Sequence, residues 1–141
     1  MLAAGIGSRL GFAASEHPPK ILLRFDGKSL LQFHIEILKR YGIDELVLGV
    51  GYRYQDIERE IAALGAQDFV RTVFNEDYKE GNIVTLWSLR NKLRCGESVL
   101  LMDADVLYDG KLLEQLLNSC LLYTSDAADE GLGVDLGGRR I

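Results

Sequence analysis

Cysteine and proline are scarce in this chain, long apolar runs are missing, and neither sign of charge is gathered in blocks; each shortage removes a class of protein. Cys95 and Cys120 are the only thiols in 141 residues. They show no metal-ligand spacing and are too few for a disulfide framework, so both are read as free. No apolar stretch reaches the roughly 20 residues needed to cross a bilayer. The opening Met1-Leu-Ala-Ala-Gly5 gives way to Gly7 and Arg9 too soon for a secretory signal. Formal charge is −5 with acidic and basic residues interspersed, which leaves no basic face for nucleic acid and no polybasic membrane anchor. A cytoplasmic protein is expected, with positive potential confined to local sites. His17 and His34 have no second ligand at metal spacing and are given no role.

What is present suits one soluble domain: 48% of residues are apolar and 26% charged, enough to bury a single core. Met1–Ala3 reads as the stub of a first strand, and Gly5 to Pro19, with Gly5, Gly7, Gly11 and Pro18-Pro19, as a long loop. Ile21–Phe25 reads as a short strand and Asp26-Gly27 as a turn. Ser29 reads as the N-cap of a helix carrying Leu30, Leu31, Ile35, Leu38 and Tyr41 and closed by Gly42. Leu46-Val-Leu48 predicts a buried strand, Tyr54–Leu64 a helix ended by Gly65, and Phe69–Phe74 a third strand. Asn82–Leu93 has near-helical apolar spacing. Ser98–Met102 reads as an apolar strand running into Asp103-Ala-Asp105, and Lys111–Leu117 as a last helix. Alternating strands and helices imply right-handed crossovers and a mainly parallel three-layer sheet, which binds ligands at the carboxyl ends of its strands.

After Asn118 the texture changes. Cys120 to Glu130 and Val134 to Ile141 resemble the translated read-through of a sequencing-library adapter. Residues 119–141 are therefore expected to be an artefactual or disordered tail, with a glycine-rich linker to a missing half as the alternative. Residues 1–118 are then expected to be the N-terminal, nucleotide-binding part of a longer domain.

The chemistry concentrates in two places. Leu2-Ala-Ala-Gly-Ile-Gly-Ser-Arg-Leu10 sets a glycine-rich loop directly after a strand, where backbone amides can converge on phosphate oxygens. Arg9 and Lys20 would supply the charge a triphosphate needs, one as a planar fork and the other as a point charge. Asp103 and Asp105 flank Ala104, and alternate positions on an extended segment face one way, so both could address one magnesium ion. Positioning and electrostatics would then carry a transfer to phosphorus without a side-chain nucleophile.

Leu2-Ala-Ala-Gly-x-Gly-x-Arg9, Pro19-Lys20, Gly27-Lys-Ser-Leu30 and a late strand ending in Asp105 resemble the nucleotidyltransferase family that makes sugar nucleotides and CDP-alcohols. Phe74-Asn-Glu-Asp-Tyr78 and Gly81-Asn-Ile-Val-Thr-Leu-Trp87 are similar to the acceptor segment of its phosphocholine cytidylyltransferase-like branch. The resemblance covers residues 1–118 and implies a Rossmann-like α/β/α fold, Mg2+, and transfer of CMP from CTP to a phospho-alcohol or phosphonate with release of pyrophosphate. It implies that Leu2 belongs to the nucleotide-binding segment, that Ala3, Ala4 and Gly5 meet base and ribose, that Gly7, Ser8 and Arg9 meet the triphosphate, and that Lys20 meets the reacting phosphates. Asp105 would hold the metal, with Asp103 as secondary candidate, and Asn82, Tyr78 and Trp87 would face the acceptor. The family's second metal carboxylate and its acceptor-binding half fall beyond residue 118, so an inactive fragment is among the expectations.

Other readings stand beside these. A dinucleotide-binding turn would need glycine at Leu10 and an acidic ribose ligand where Gly49-Val-Gly51 ends the second strand. A P-loop ending in Gly27-Lys28-Ser29 would need glycine at Leu22. Trp87, Leu86 and Leu89 are expected to fill a helix–sheet core, with Tyr78 and Trp87 as an aromatic wall for a quaternary ammonium as the alternative. Asn82 could equally cap its helix. Sugar 1-phosphate transfer, a metal-dependent glycosyltransferase using Asp103-x-Asp105, and a non-catalytic nucleotide-binding module are the rival functions.

Overall fold

In a computed structural model of the chain, the described residues are 1–7, 17–94 and 96–120. They belong to two units, Met1–Leu107 and a second beginning at Tyr108. The described part of the second, 108–120, holds one helix, α5 (Gly110–Cys120). Its first turn is closed by Asp109, whose carboxylate accepts from the Lys111 amide at 2.7 Å.

The first unit is built on a parallel sheet of β1 (Leu2–Ala3), β4 (Leu46–Val50) and β5 (Val70–Phe74), with β4 in the middle. Leu2 pairs with Gly49, and Leu46 to Val50 run in register with Val70 to Phe74. Strand β4 is apolar on both faces, as a central parallel strand must be. Leu48 and Val50 are fully buried, and Thr72, level with Leu48, donates to Glu58 of α2 (Tyr54–Ala63) at 3.3 Å. Helix α2 therefore covers that face. On the other face lies α3 (Asn82–Ser88), and Gly49 permits its approach: a Cβ there would stand 2.7 Å from Thr85 Cγ2 and 3.3 Å from Leu89 Cδ1. Helices on both sides of a parallel sheet make the expected three-layer α/β arrangement.

Helix α1 (Leu30–Arg40) starts where Ser29, buried and extended, accepts the Gln32 amide on its hydroxyl at 3.2 Å. Its buried residues Leu30, Leu31, His34, Ile35 and Leu38 form one stripe. Gly42 (φ 74°) and Gly65 (φ 61°) end α1 and α2 in the left-handed region that glycine tolerates.

Four expectations need correction. Ile21–Phe25 is not a strand. Pro19 turns the chain so that the Leu22 amide reaches the Pro19 carbonyl at 2.8 Å, and Lys20–Leu22 is a single 3-10 turn burying Ile21. Only β2 (Arg24–Phe25) is extended, hairpinned to β3 (Lys28–Ser29) through Asp26 and Gly27, both at positive φ. Ser98–Met102 is not a strand either. Leu2 takes a single parallel bridge to Asp103, with Leu2 N donating to Met102 O and Ala104 N to Leu2 O. Residues 98–101 meet no strand partner among the described residues, and Val99 and Leu101 stay half-exposed. Asn82–Leu93 is broken at Leu89 into α3 and a short α4 (Arg90–Leu93). Trp87 is no core residue: it is 63% exposed, while Thr85 and Leu89 face the sheet. The face of α3 that meets Gly49 is the Thr85–Leu89 side, and Trp87 lies off it with the Arg90 guanidinium 5.2 Å from its ring.

Candidate active site

At the carboxyl end of β1 lies a cavity of about 90 Å³, lined by Leu2, Ala3 and Gly5 from β1 and its loop, Lys20 and Ile21 from the 3-10 turn, Asn82 from α3, and Asp103, Ala104 and Asp105. Both halves of the chemistry read in the sequence meet here. The Lys20 ammonium donates to Asp105 Oδ2 at 2.7 Å, with both side chains part-exposed at the rim.

Gly7 makes the approach of Lys20 possible. It has φ 76°, and a Cβ on it would fall 2.9 Å from Lys20 Cε, so the lysine stem runs along bare backbone. The loop is tied at both ends by the turn after β4, a part played by residues that sequence reasoning missed. Tyr52 N donates to the Ala4 carbonyl at 3.1 Å. The Tyr52 hydroxyl and Arg53 Nη1 both donate to the His17 carbonyl, at 3.1 and 3.2 Å. Arg53 holds a left-handed conformation (φ 47°) and pairs with Asp56 at 2.5 Å. Nothing in Gly51-Tyr-Arg-Tyr54 marks these roles locally, because the partners lie 35 and 36 positions away.

On the aspartate side, Asp103 and Asp105 both line the cavity while Ala104 between them is buried. His34, which composition and spacing left without a role, sits beneath: its Nε2 lies 3.2 Å from the Ala104 carbonyl. Burial pushes the His34 pKa below its ordinary value. The buried Met1 amine donates to the Val47 carbonyl at 2.7 Å. Its pKa falls to about 6, chiefly by desolvation, with the nearby Asp103 charge opposing the shift.

Of the acceptor candidates, Asn82 reaches this cavity and Tyr78 and Trp87 do not line it. Tyr78 is laid on Gly51, where a Cβ would stand 2.3 Å from its own. The segment before α3 is fastened by buried Asn75, whose amide nitrogen donates to Thr85 Oγ1 at 3.0 Å and whose oxygen accepts the Asp77 amide at 3.1 Å. Ser8 and Arg9 lie outside the described residues, as do Cys95 and 121–141.

A family model described as MobA-like NTP transferase domain matches residues 1–130. The chain is 31% identical over 134 residues to choline-phosphate cytidylyltransferase of Streptococcus pneumoniae, covering 92% of this chain and 55% of that protein. It is 29% identical over 124 residues to CTP:phosphoglutamine cytidylyltransferase of Campylobacter jejuni, covering 84% and 47%. It is 30% identical over 116 residues to CMP-5'-(3-aminopropyl)phosphonate synthase of Streptomyces rubellomurinus, covering 82% and 18%. The chain thus spans about half the length, or less, of these relatives. Among solved structures, the CTP:phosphocholine cytidylyltransferase of Streptococcus pneumoniae (LicC) superposes with a TM-score of 0.53 at 34% identity, over 65% of this chain and 39% of that one. The α/β fold is the one that structure has.

Proposed function

This chain belongs to the MobA-like NTP transferase domain family, and on that premise we propose that it is the nucleotide-binding part of a cytidylyltransferase. The reaction would join CMP from CTP to a small phosphorylated alcohol or phosphonate. The observation that carries the reading is the joining of Lys20, Asp103 and Asp105 in one cavity at the end of the glycine-rich loop. The choice of CTP and of a phospho-alcohol or phosphonate draws on the three relatives.

A magnesium ion fits this donor set in one specific way. Among the described residues no group of three or more acidic, histidine or cysteine side chains could hold a metal. Two carboxylates are what Mg2+ usually takes from a protein when substrate phosphates and water complete its octahedron. The ammonium on Asp105 already occupies a cation position. Asp105 and Asp103 would hold the metal, which when bound would neutralise charge on the triphosphate and its pyrophosphate leaving group.

The chain's own groups do the rest. Gly5 and Gly7 carry no side chain, so their amides can take phosphate or ribose oxygens. Lys20, whose ammonium rests on Asp105, would carry its charge to the reacting phosphates. An acceptor phosphate oxygen attacks the α-phosphorus, the bond from that phosphorus to the β-bridging oxygen breaks, and pyrophosphate leaves with the electron pair. The acceptor oxygen is already anionic, so no base is required and rate comes from alignment. Arg9 is assigned to the triphosphate by motif, and Asn82 by position to the acceptor or base.

The test, on the full-length protein that includes the acceptor-binding half, is pyrophosphate release from each of CTP, ATP, GTP and UTP with Mg2+ and a panel of phosphocholine, an aminoalkyl phosphonate and glucose 1-phosphate. CTP with phosphocholine or the phosphonate is expected to be the productive pairing. Arg9→Ala and Asp105→Ala are each expected to remove most turnover. Normal turnover in both variants, or release with glucose 1-phosphate alone, would reject the reading.

A further inference from the structure

His34 is buried on α1 and touches the one residue that separates the two site carboxylates. Its Nε2 lies 3.2 Å from the Ala104 carbonyl oxygen, and a ring nitrogen beside a carbonyl must be the donor, which fixes the proton on Nε2. The amide nitrogen of Ala104 is held in turn by the Leu2 carbonyl at 3.1 Å. The methyl of Ala104 is buried. Backbone and side chain of this residue are therefore pinned from β1 and from α1, and Asp103 and Asp105 on either side line the cavity.

We propose that His34 is a positioning residue for the metal–triphosphate site, its Nε2–H bond to Ala104 holding the 103–105 turn so that both carboxylates are presented together. The inference rests on the proposed nucleotidyl transfer. It follows from the demands of the ion, since Mg2+ accepts only near-ideal octahedral geometry at short range. A rotation of the Ala104 peptide would swing Asp105 away from Asp103. Partners that orient metal ligands without touching the metal commonly change affinity by about 10–100-fold when removed. A histidine that merely filled the core would instead affect stability, with no preference for metal over nucleotide.

The experiment compares His34→Leu, His34→Met and His34→Gln with the parent. Mn2+ binding in the presence of CTP is read by the electron paramagnetic resonance signal of free Mn2+, CTP binding is measured without metal, and backbone amide exchange is followed at 103–105. Leu removes the donor, Met does so with a more adaptable side chain should Leu not fold, and Gln can place an amide N–H on the same carbonyl. The expected result is a loss of about tenfold in Mn2+ affinity for Leu and Met. Exchange at 103–105 should quicken, metal-free CTP affinity should stay within about twofold, and Gln should return both readouts toward the parent. Parental Mn2+ affinity in the donor-less variants overturns the inference alone, as does an equal loss of metal-free CTP affinity. A parent that binds no Mn2+ with any of the four triphosphates overturns the functional reading, and the inference with it.

Discussion

Lys20 and Asp105 are 85 positions apart in the chain and 2.7 Å apart in space, and the pair sets what single substitutions should do. Both side chains are part-exposed, so the ion pair itself contributes about 1 kcal/mol or less to stability. Lys20→Ala should consequently leave the thermal midpoint within a few degrees of the parent while weakening CTP binding about tenfold, the equivalent of one charge-assisted contact of about 1.4 kcal/mol. Calorimetric titration and thermal melting separate the two. A variant that melts much earlier but binds CTP normally would make Lys20 structural. Gly7 supports the same reading, since any side chain there must displace the lysine stem.

Among the elements, the contact of α3 with the sheet is the most exacting. Gly49→Ala would place a methyl 2.7 Å from Thr85 Cγ2, a side chain held by Asn75 on its other side. Thr85 cannot yield cheaply, so the substitution should cost about 1–3 kcal/mol. Urea denaturation is the measurement. A cost under half that, with an unchanged denaturant slope, would mean that α3 sits more loosely than its spacing implies. Ser29→Ala removes the N-cap of α1 and should cost about 1 kcal/mol, with loss of helical circular dichroism confined to the melting region. The Gly49-Val-Gly51 that ends β4 excludes an acidic ribose ligand by sequence, and the fold shows its purpose: each glycine admits a side chain, Thr85 or Tyr78, onto bare backbone.

For the molecule as a whole, stability should fall on mild acidification. Burial of His34 holds its pKa below the ordinary 6.5. Below that ordinary value the unfolded chain binds the proton that the folded chain refuses, so stability is fully present above it and is lost as pH falls through it. Urea midpoints between pH 8.5 and 5.5 check this. A flat or rising profile toward acid would show that the His34 ring is solvated in solution.

Periodicity and capping in the sequence were enough to establish the α/β class, the helices begun by Ser29 and ended by Gly42 and Gly65, and the two long parallel strands, because those signals are local. The glycine-rich loop, Lys20 and the Asp103-Ala-Asp105 triplet were likewise legible, as residue types whose chemistry suits phosphate and a hard cation. Tertiary structure alone decided that Lys20 meets Asp105, that Tyr52 and Arg53 tie down the loop, that His34 holds Ala104, and that Trp87 faces outward. It also decided that residues 98–101 form no strand. Each of these depends on which backbone groups come within hydrogen-bonding or van der Waals reach after the chain has folded, and no local pattern encodes a partner dozens of residues away.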